Sequence, residues 1–162
     1  MSDIAIRDAA PDDVPAVLRL VRGLADYENL LHHVTATEAD IHHLLFGPRS
    51  FARAALAEAN RQAVGIVLWY HTVGTFTGRL GVYIEDVFVE PAWRGKGIGL
   101  ALFRYVAQAA LAEDCVCMEW RVLSWNVPAI DFYRKLGARQ LTDWHTMELR
   151  GAALAQLGAL NG

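Results

Sequence analysis

The amino-acid sequence predicts a mixed α/β fold, and three observations support this prediction. Segments with strand-like and helix-like spacing follow one another in the order β-α-α-β-β-β-α-β-α-β-β. A long apolar, partly β-branched run at residues 80–89 leads through a glycine-rich turn directly into a helical pattern. The composition is 54% hydrophobic and 20% charged over 162 residues, which suffices for a substantial core in one domain.

Seven strands are predicted from apolar runs bounded by turn residues. The second and third form a hairpin around Asn60, the fourth is the long central strand, and the last two are short. The predicted ranges are 4–7, 51–58, 62–71, 80–89, 115–123, 139–142 and 144–149.

About four helices are predicted beside these strands. The acidic pair 12–13 suits a helix N-terminus, and Thr35–Glu38 has the spacing of a capping box for the second helix. The third helix begins at Ile98, after the glycine-rich turn. The fourth begins with Asn126 as its cap and Pro128 in its first turn.

The overall composition narrows the possible functions. The net charge is −3 and no basic block stands out, so we expect no nucleic-acid partner. No apolar run approaches about 18 residues and no signal peptide is visible, so we expect a cytoplasmic protein without a membrane span. Cys115 and Cys117, spaced by two on a predicted strand, fit reduced core thiols. We expect a single domain over residues 1–162, with a core at about 4–149 and a helical tail at 150–162.

The turn after the central strand has the features of a phosphate-binding site. Three alternate glycines, Gly95, Gly97 and Gly99, allow a ligand to approach the backbone closely. The N–H groups of the following first helical turn lack partners within the helix and lie at the positive end of its dipole. Arg94 and Lys96 add positive charge. The spacing matches neither a P-loop nor a dinucleotide fingerprint, and a tight turn with a cationic rim is the structural alternative.

The segment Arg94–Gly99 resembles the Arg/Gln-x-x-Gly-x-Gly/Ala signature of the GNAT superfamily of acetyl-CoA-dependent N-acetyltransferases. Three further segments, Tyr83–Val89, Trp125–Tyr133 and Leu24–Glu28, resemble the diamine (spermidine/spermine) acetyltransferase branch. The similarity covers roughly residues 4–149. It implies a mixed, mostly antiparallel sheet of seven strands flanked by about four helices.

The resemblance also implies how acetyl-CoA binds. The central strand and the next one should splay apart, so that the pantetheine arm can pair with exposed backbone between them. The pyrophosphate should rest on the glycine-rich turn. The expected acetyl-CoA-binding residues are Val87, Phe88, Val89, Arg94, Gly95, Lys96, Gly97, Ile98, Gly99, Leu100, Asn126, Pro128 and Ala129.

Acetyl transfer to an amine needs a group that removes a proton, because an alkylamine has a pKa near ~10. Glu85 lies on the central strand beside the acetyl-CoA segment and is the expected base. The resemblance places Tyr133 near the leaving sulfur as the general acid. The structural alternatives are one exposed and one salt-bridged acid for Glu85 and Asp86, an aromatic anchor for Tyr133, and a plain helix cap for Asn126.

Carboxylates and aromatic rings are expected to bind the ammonium groups of the acceptor. After Glu28, however, this chain has Asn29–His33 where the polyamine enzymes are rich in acids. This departure favours a short diamine, a lysine-like amino acid or another small primary amine over a long polyamine. The candidate substrate-binding residues are Tyr27, Glu28, Glu85, Asp86, Glu119, Trp120 and Trp144.

The predicted function is therefore transfer of an acetyl group from acetyl-CoA to a small primary amine, directly within a ternary complex. An enzyme that acetylates protein N-termini or lysines, and a non-catalytic acyl-CoA-binding protein, are the alternatives. The histidine pairs 32–33 and 42–43 lack metal-ligand spacing, so no metal is expected. The resemblance further implies a homodimer.

Overall fold

The computed structural model describes residues 4–160, and a single sheet of five strands runs through its N-terminal part. The strands lie side by side in chain order: β1 (Ile4–Asp8), β2 (Ala52–Ala59), β3 (Gln62–Gly74), β4 (Arg79–Val89) and β5 (Met118–Trp120). The first four are antiparallel, and β5 is parallel to β4. The sheet is therefore mixed, as the sequence predicts.

Five α-helices accompany the sheet within the described residues. They are α1 (Val14–Tyr27), α2 (Glu38–Phe46), α3 (Ile98–Ala112), α4 (Val127–Lys135) and α5 (Gly151–Gly158). The last of these lies within the segment 150–162, for which the sequence predicts a helical tail. No helix in the described part of the chain is long and apolar enough to cross a membrane.

The chain packs as two compact units, Met1–Arg121 and Val122–Gly162. In the first unit, α1 and α2 cover one face of the sheet, where Leu18 packs in the same buried cluster as Leu56 and Phe88. Helix α3 contacts β1 to β4 and has its own buried stripe. The second unit contains α4 and α5.

The prediction of seven strands is wrong: residues 4–160 contain five. The segments 139–142 and 144–149 form no ladder, and every residue in them is exposed. Leu141, Trp144 and Met147 gave this part its strand-like appearance, but β-propensity requires a neighbouring strand and a face that becomes buried. The strand predicted at 115–123 is shorter, because only Met118–Trp120 pairs with β4.

Two local predictions also need correction. Thr37, and not Thr35, caps α2: its hydroxyl accepts from the Asp40 N–H at 3.2 Å, and the Asp40 carboxylate accepts from the Thr37 N–H at 2.9 Å. The chain contains two overlapping Thr-x-x-acid patterns, and the sequence pattern did not distinguish them. The cysteines precede β5 and both are free, but only Cys115 is buried while Cys117 is exposed.

Candidate active site

A β-bulge at Glu85 shapes the candidate site. In the antiparallel ladder between β3 and β4, Leu68 is opposite Asp86 and Trp69 is opposite Ile84, so Glu85 has no residue opposite it. An extra residue of this kind bends the strand and redirects the side chains beside it. The sequence offers no glycine or proline there to signal the bulge.

The bulge brings two carboxylates to one face of the sheet. Opposite residues in a ladder share a face, so Tyr83 lies with Tyr70 and Asp86 lies with Leu68. Tyr70 and Leu68 are two residues apart on β3 and therefore share that face. The Tyr70 hydroxyl donates to Glu85 Oε2 at 3.3 Å, which places the Glu85 carboxylate there too.

The ladder between β4 and β5 ends at this same level. Its last pair is Ile84 with Trp120, whereas β4 continues to Val89. The residues predicted to offer their backbone to acetyl-CoA, Val87, Phe88 and Val89, thus lie beyond the end of β5. Phe88 itself is buried in the core beneath α1.

Two acidic side chains at the bulge, with burial, affect the pKa of a third. Burial, followed by the nearby charges of Glu85 and Glu28, raises the pKa of Asp86 to about 6. Burial also raises the pKa of Glu28. Asp86 is therefore a stronger base than an ordinary carboxylate, and its pKa lies near physiological pH. The sequence suggested Glu85 as the base. In the structure, burial and nearby charges raise the pKa of Asp86, which makes Asp86 a candidate base as well.

A cation and two phenols complete this face. Arg121, directly after β5, donates from Nε to the Tyr83 hydroxyl at 2.7 Å, and its Nη2 lies 3.8 Å from Glu85 Oε1. The rings of Tyr70 and Tyr83 are 5.4 Å apart. Burial raises the pKa of both phenols, so they stay protonated at neutral pH.

Tyr70 and Arg121 were not identified from the sequence as site residues. The position of Tyr70 could have been predicted from the sequence, because the polar turn at 74–79 indicates a hairpin. Counting back from that turn along both strands places Tyr70 opposite Tyr83. Arg121 has no such signal, because it depends on where the β4–β5 ladder ends.

The glycine-rich turn has the geometry that a phosphate-binding turn requires. Gly95 and Gly97 have positive φ angles of 73° and 81°, a conformation that favours glycine. Gly97 is the N-cap of α3, and no side chain caps the N–H groups of that helix. A Cβ atom at either glycine would meet no protein atom within 4 Å, so both positions have open space for a ligand. These features fit a pyrophosphate at this helix N-terminus.

The two basic residues of the turn contact aromatic rings. The Arg94 guanidinium lies 4.5 Å from the centre of the Tyr27 ring and donates from Nε to the Val89 carbonyl at 2.9 Å. The Lys96 ammonium lies 4.4 Å from the centre of the Trp93 ring. Tyr27, which the sequence predicts to bind substrate, therefore contacts Arg94 of the glycine-rich turn.

The remaining predicted site residues are spread over different places. Glu119 is exposed and pairs with Tyr83 in the β4–β5 ladder, so it shares the face of the carboxylates, whereas Trp120 packs edge-on against Phe103 of α3 at 5.1 Å on the opposite face. In the second unit, the Asn126 side chain accepts from the Ala129 N–H at 3.4 Å and caps α4, as predicted. Tyr133 is partly buried on α4 with its ring 5.5 Å from Phe132. Pro128 lies in the first turn of α4, and Trp144 is 76% exposed.

Residues 21–138 match the model of the acetyltransferase (GNAT) family. The chain belongs to the GNAT acetyltransferase family. It is 36% identical to the thialysine N-epsilon-acetyltransferase of Sus scrofa, over 97% of this chain and 98% of that protein. It is 34% identical to the spermidine/spermine N(1)-acetyltransferase-like protein 1 of Homo sapiens, over 90% of this chain and 22% of that protein.

The fold of this GNAT acetyltransferase is also found in solved structures. An integron cassette protein from the mobile metagenome of V. cholerae superimposes with a TM-score of 0.83 over 99% of both chains, at 24% identity. The GNAT family uses acetyl-CoA as its co-substrate, and the turn at residues 95–100 fits the pyrophosphate of that molecule. Within residues 4–160, no three His, Cys, Asp or Glu side chains are grouped to hold a metal ion.

Proposed function

We propose that this GNAT acetyltransferase acetylates a primary amine of a small molecule and binds that amine beside the bulge at Glu85. The observation that carries the proposal is the group of three acidic residues where the β4–β5 ladder ends, in which the charges of Glu85 and Glu28 act on the buried Asp86. Such a group attracts an ammonium ion. The names of similar proteins support a small acceptor, since they specify thialysine, spermidine or spermine, and, in Arabidopsis thaliana, L-ornithine.

We assign the proton-accepting role to the Glu85–Asp86 pair and, within it, to Asp86, whose pKa is raised to about 6. An ammonium group with a pKa near ~10 must lose a proton before its nitrogen can attack a thioester. Asp86, with a pKa of about 6, accepts that proton more readily than an ordinary carboxylate, directly or through water. Glu85 raises the pKa of Asp86 and accepts a hydrogen bond from Tyr70.

Acetyl-CoA supplies the acetyl thioester when it is bound. The N–H groups of the turn and first helical residues, 95–100, bind its pyrophosphate. The backbone of residues 87–89, beyond the end of β5, is the proposed partner of the pantetheine arm, although the Val89 carbonyl already accepts a hydrogen bond from Arg94. Asn126, Pro128 and Ala129 of α4 remain proposed contacts, and Tyr133 the proposed proton donor to the leaving sulfur. Burial raises the pKa of the Cys115 thiol and disfavours its reactive thiolate, which supports direct transfer without an acetyl group on this cysteine.

The test is release of the free thiol from acetyl-CoA in the presence of diamines, lysine-like amino acids and peptides. We expect turnover with the small amines, and its loss in Asp86→Asn. Asp143→Asn, which removes an exposed carboxylate from an irregular segment, is the matched control and should behave like the wild type. Turnover with peptides only would identify a protein acetyltransferase, and acetyl-CoA binding without turnover on any acceptor would identify a binding protein.

We further propose a homodimer in the cytoplasm. Large apolar side chains remain exposed on the first unit, among them Phe76 at the β3–β4 turn and Val73 beside it. Light scattering at micromolar concentration should give twice the mass of one chain, and a monomer would contradict this assembly.

A further inference from the structure

We infer that Arg121 binds the carboxylate of the acceptor, so that the preferred substrate is an amino acid with a side-chain amine and not the corresponding diamine. This inference rests on the proposed function, because it assumes that the acceptor binds beside the bulge. It goes further by naming the substrate class and the residue that selects it.

The position of Arg121 carries the first part of the argument. The residue directly follows Trp120, whose pairing with Ile84 is the last of the β4–β5 ladder. Its guanidinium contacts Tyr83 and approaches Glu85, so it lies on the face that bears the carboxylates. The side chain is 64% exposed, and a molecule arriving from solvent can therefore reach it.

The hydrogen bonds of Arg121 leave donors available. A guanidinium has five N–H donors, and in the described structure only Nε makes a hydrogen bond, to Tyr83. The 3.8 Å separation from Glu85 is an ion pair without a hydrogen bond. The two terminal nitrogens can accordingly form the paired hydrogen bonds with which arginine binds a carboxylate. The bond from Nε to the Tyr83 hydroxyl fixes the orientation of the guanidinium plane.

The distribution of charge distinguishes the two substrate classes. A diamine or polyamine carries positive charge at both ends, and the fixed cation of Arg121 would repel one of them. An amino acid with a side-chain amine has a carboxylate for Arg121 and ammonium groups for the acidic side chains of this face, Glu28, Glu85, Asp86 and Glu119. The face therefore complements a molecule that carries both signs of charge.

The competing explanation is that Arg121 only neutralises Glu85. A guanidinium serving that purpose alone would form direct hydrogen bonds with the carboxylate, since charge-assisted pairs are normally 2.7–2.9 Å long. Here the close contact is with the neutral Tyr83 hydroxyl at 2.7 Å, and the carboxylate is at 3.8 Å. The observed geometry favours a guanidinium that is oriented and still able to bind a second carboxylate.

Two pairs of acceptors test the inference directly. L-Lysine and cadaverine differ only by the carboxylate, and so do L-ornithine and putrescine. We expect the wild type to have the higher kcat/KM for the amino acid in each pair. In Arg121→Gln the ratio of amino acid to diamine should fall by about tenfold to a hundredfold, through a higher KM for the amino acid.

Two further variants distinguish recognition of the carboxylate by Arg121 from a general loss of positive charge. Arg121→Lys keeps the charge without the paired donors and should restore part of the ratio. Arg61→Gln removes an equal charge at the exposed β2–β3 turn and should leave the ratio as in the wild type.

The failure of the inference and the failure of the proposed function give different results. Equal turnover of both members of each pair by the wild type, or an equal loss for both in Arg121→Gln, would overturn the role of Arg121 while small-amine acetylation stands. Thiol release with peptides alone, and with none of the four small acceptors, would overturn the proposed function itself.

Discussion

The side chains of Tyr83 and Asp86 leave β4 on the same face of the sheet, although the two residues are three positions apart. A regular strand would place them on opposite faces, because side chains alternate with a period of two. The extra residue at Glu85 removes one step of that alternation. The Arg121 contact to Tyr83 and the acidic group around Asp86 consequently belong to one surface.

Replacing Asp86 should make the protein more stable while it lowers activity. The pKa of Asp86 in the folded protein is about 6, above its ordinary value of 3.8, so the fold favours the neutral carboxyl group. Above pH 6 the ionised group destabilises the fold, and below about pH 4 this penalty is absent because the group is protonated in both states. Asp86→Asn should therefore raise the free energy of unfolding at pH 8 and leave it unchanged near pH 3.5. Urea unfolding at the two pH values measures both, and equal stability at pH 8 would contradict the raised pKa.

The same carboxyl group should shape the pH dependence of catalysis. In the wild type, kcat/KM should rise as pH increases through about 6, because Asp86 must be ionised to accept a proton. It should continue to rise at higher pH as the free amine becomes more abundant. In Asp86→Asn the limb near pH 6 should disappear and kcat should fall by about 10²-fold or more. A limb near pH 6 that persists in the variant would assign it to another group.

The conformation of Gly97 should matter for acetyl-CoA affinity beyond its effect on stability. Gly97→Glu places a side chain and a negative charge where the pyrophosphate is proposed to bind, and should abolish binding measured by calorimetry. Gly97→Ala should weaken it, since a side chain at positive φ is strained by about 1–2 kcal/mol.

Gly78→Ala is the matched control for this strain. Gly78 also has a positive φ, 65°, and open space around its Cβ position, but it lies in the β3–β4 turn. We expect Gly78→Ala to lose comparable stability and to keep its affinity for acetyl-CoA. Wild-type affinity in Gly97→Glu would refute the proposed pyrophosphate site.

Removal of the Tyr133 hydroxyl should affect the chemical step more than binding. Tyr133→Phe should lower kcat by about 10²-fold or more and nearly preserve the affinity for acetyl-CoA, because only a proton donor is lost. Tyr105→Phe is a suitable control, since that hydroxyl donates to Asp8 on the α3 side of the sheet. Unchanged turnover in Tyr133→Phe would leave the side chain with a structural role alone.

Much of the fold was accessible from local sequence. Several of these predictions are confirmed: the helix after the acidic pair 12–13, the hairpin around Asn60, the long β4, the start of α3 at Ile98 and the Asn126 cap. Each depends on residues within a few positions of one another. The two strands predicted between residues 139 and 149 failed because a strand needs a partner that the local sequence does not specify.

Some features of the candidate site were also accessible from the local sequence, and others were not. By itself the sequence determined the glycine-rich turn, because the positive φ angles at Gly95 and Gly97 and the uncapped helix start follow from consecutive residues. Only the tertiary structure decided the bulge at Glu85, the raised pKa of Asp86 and the position of Arg121 beside Tyr83. These features depend on how β3 and β5 pair with β4 and on how deeply a carboxyl group is buried. Pairing and burial are set by residues distant in the chain, so no local pattern in the sequence encodes them.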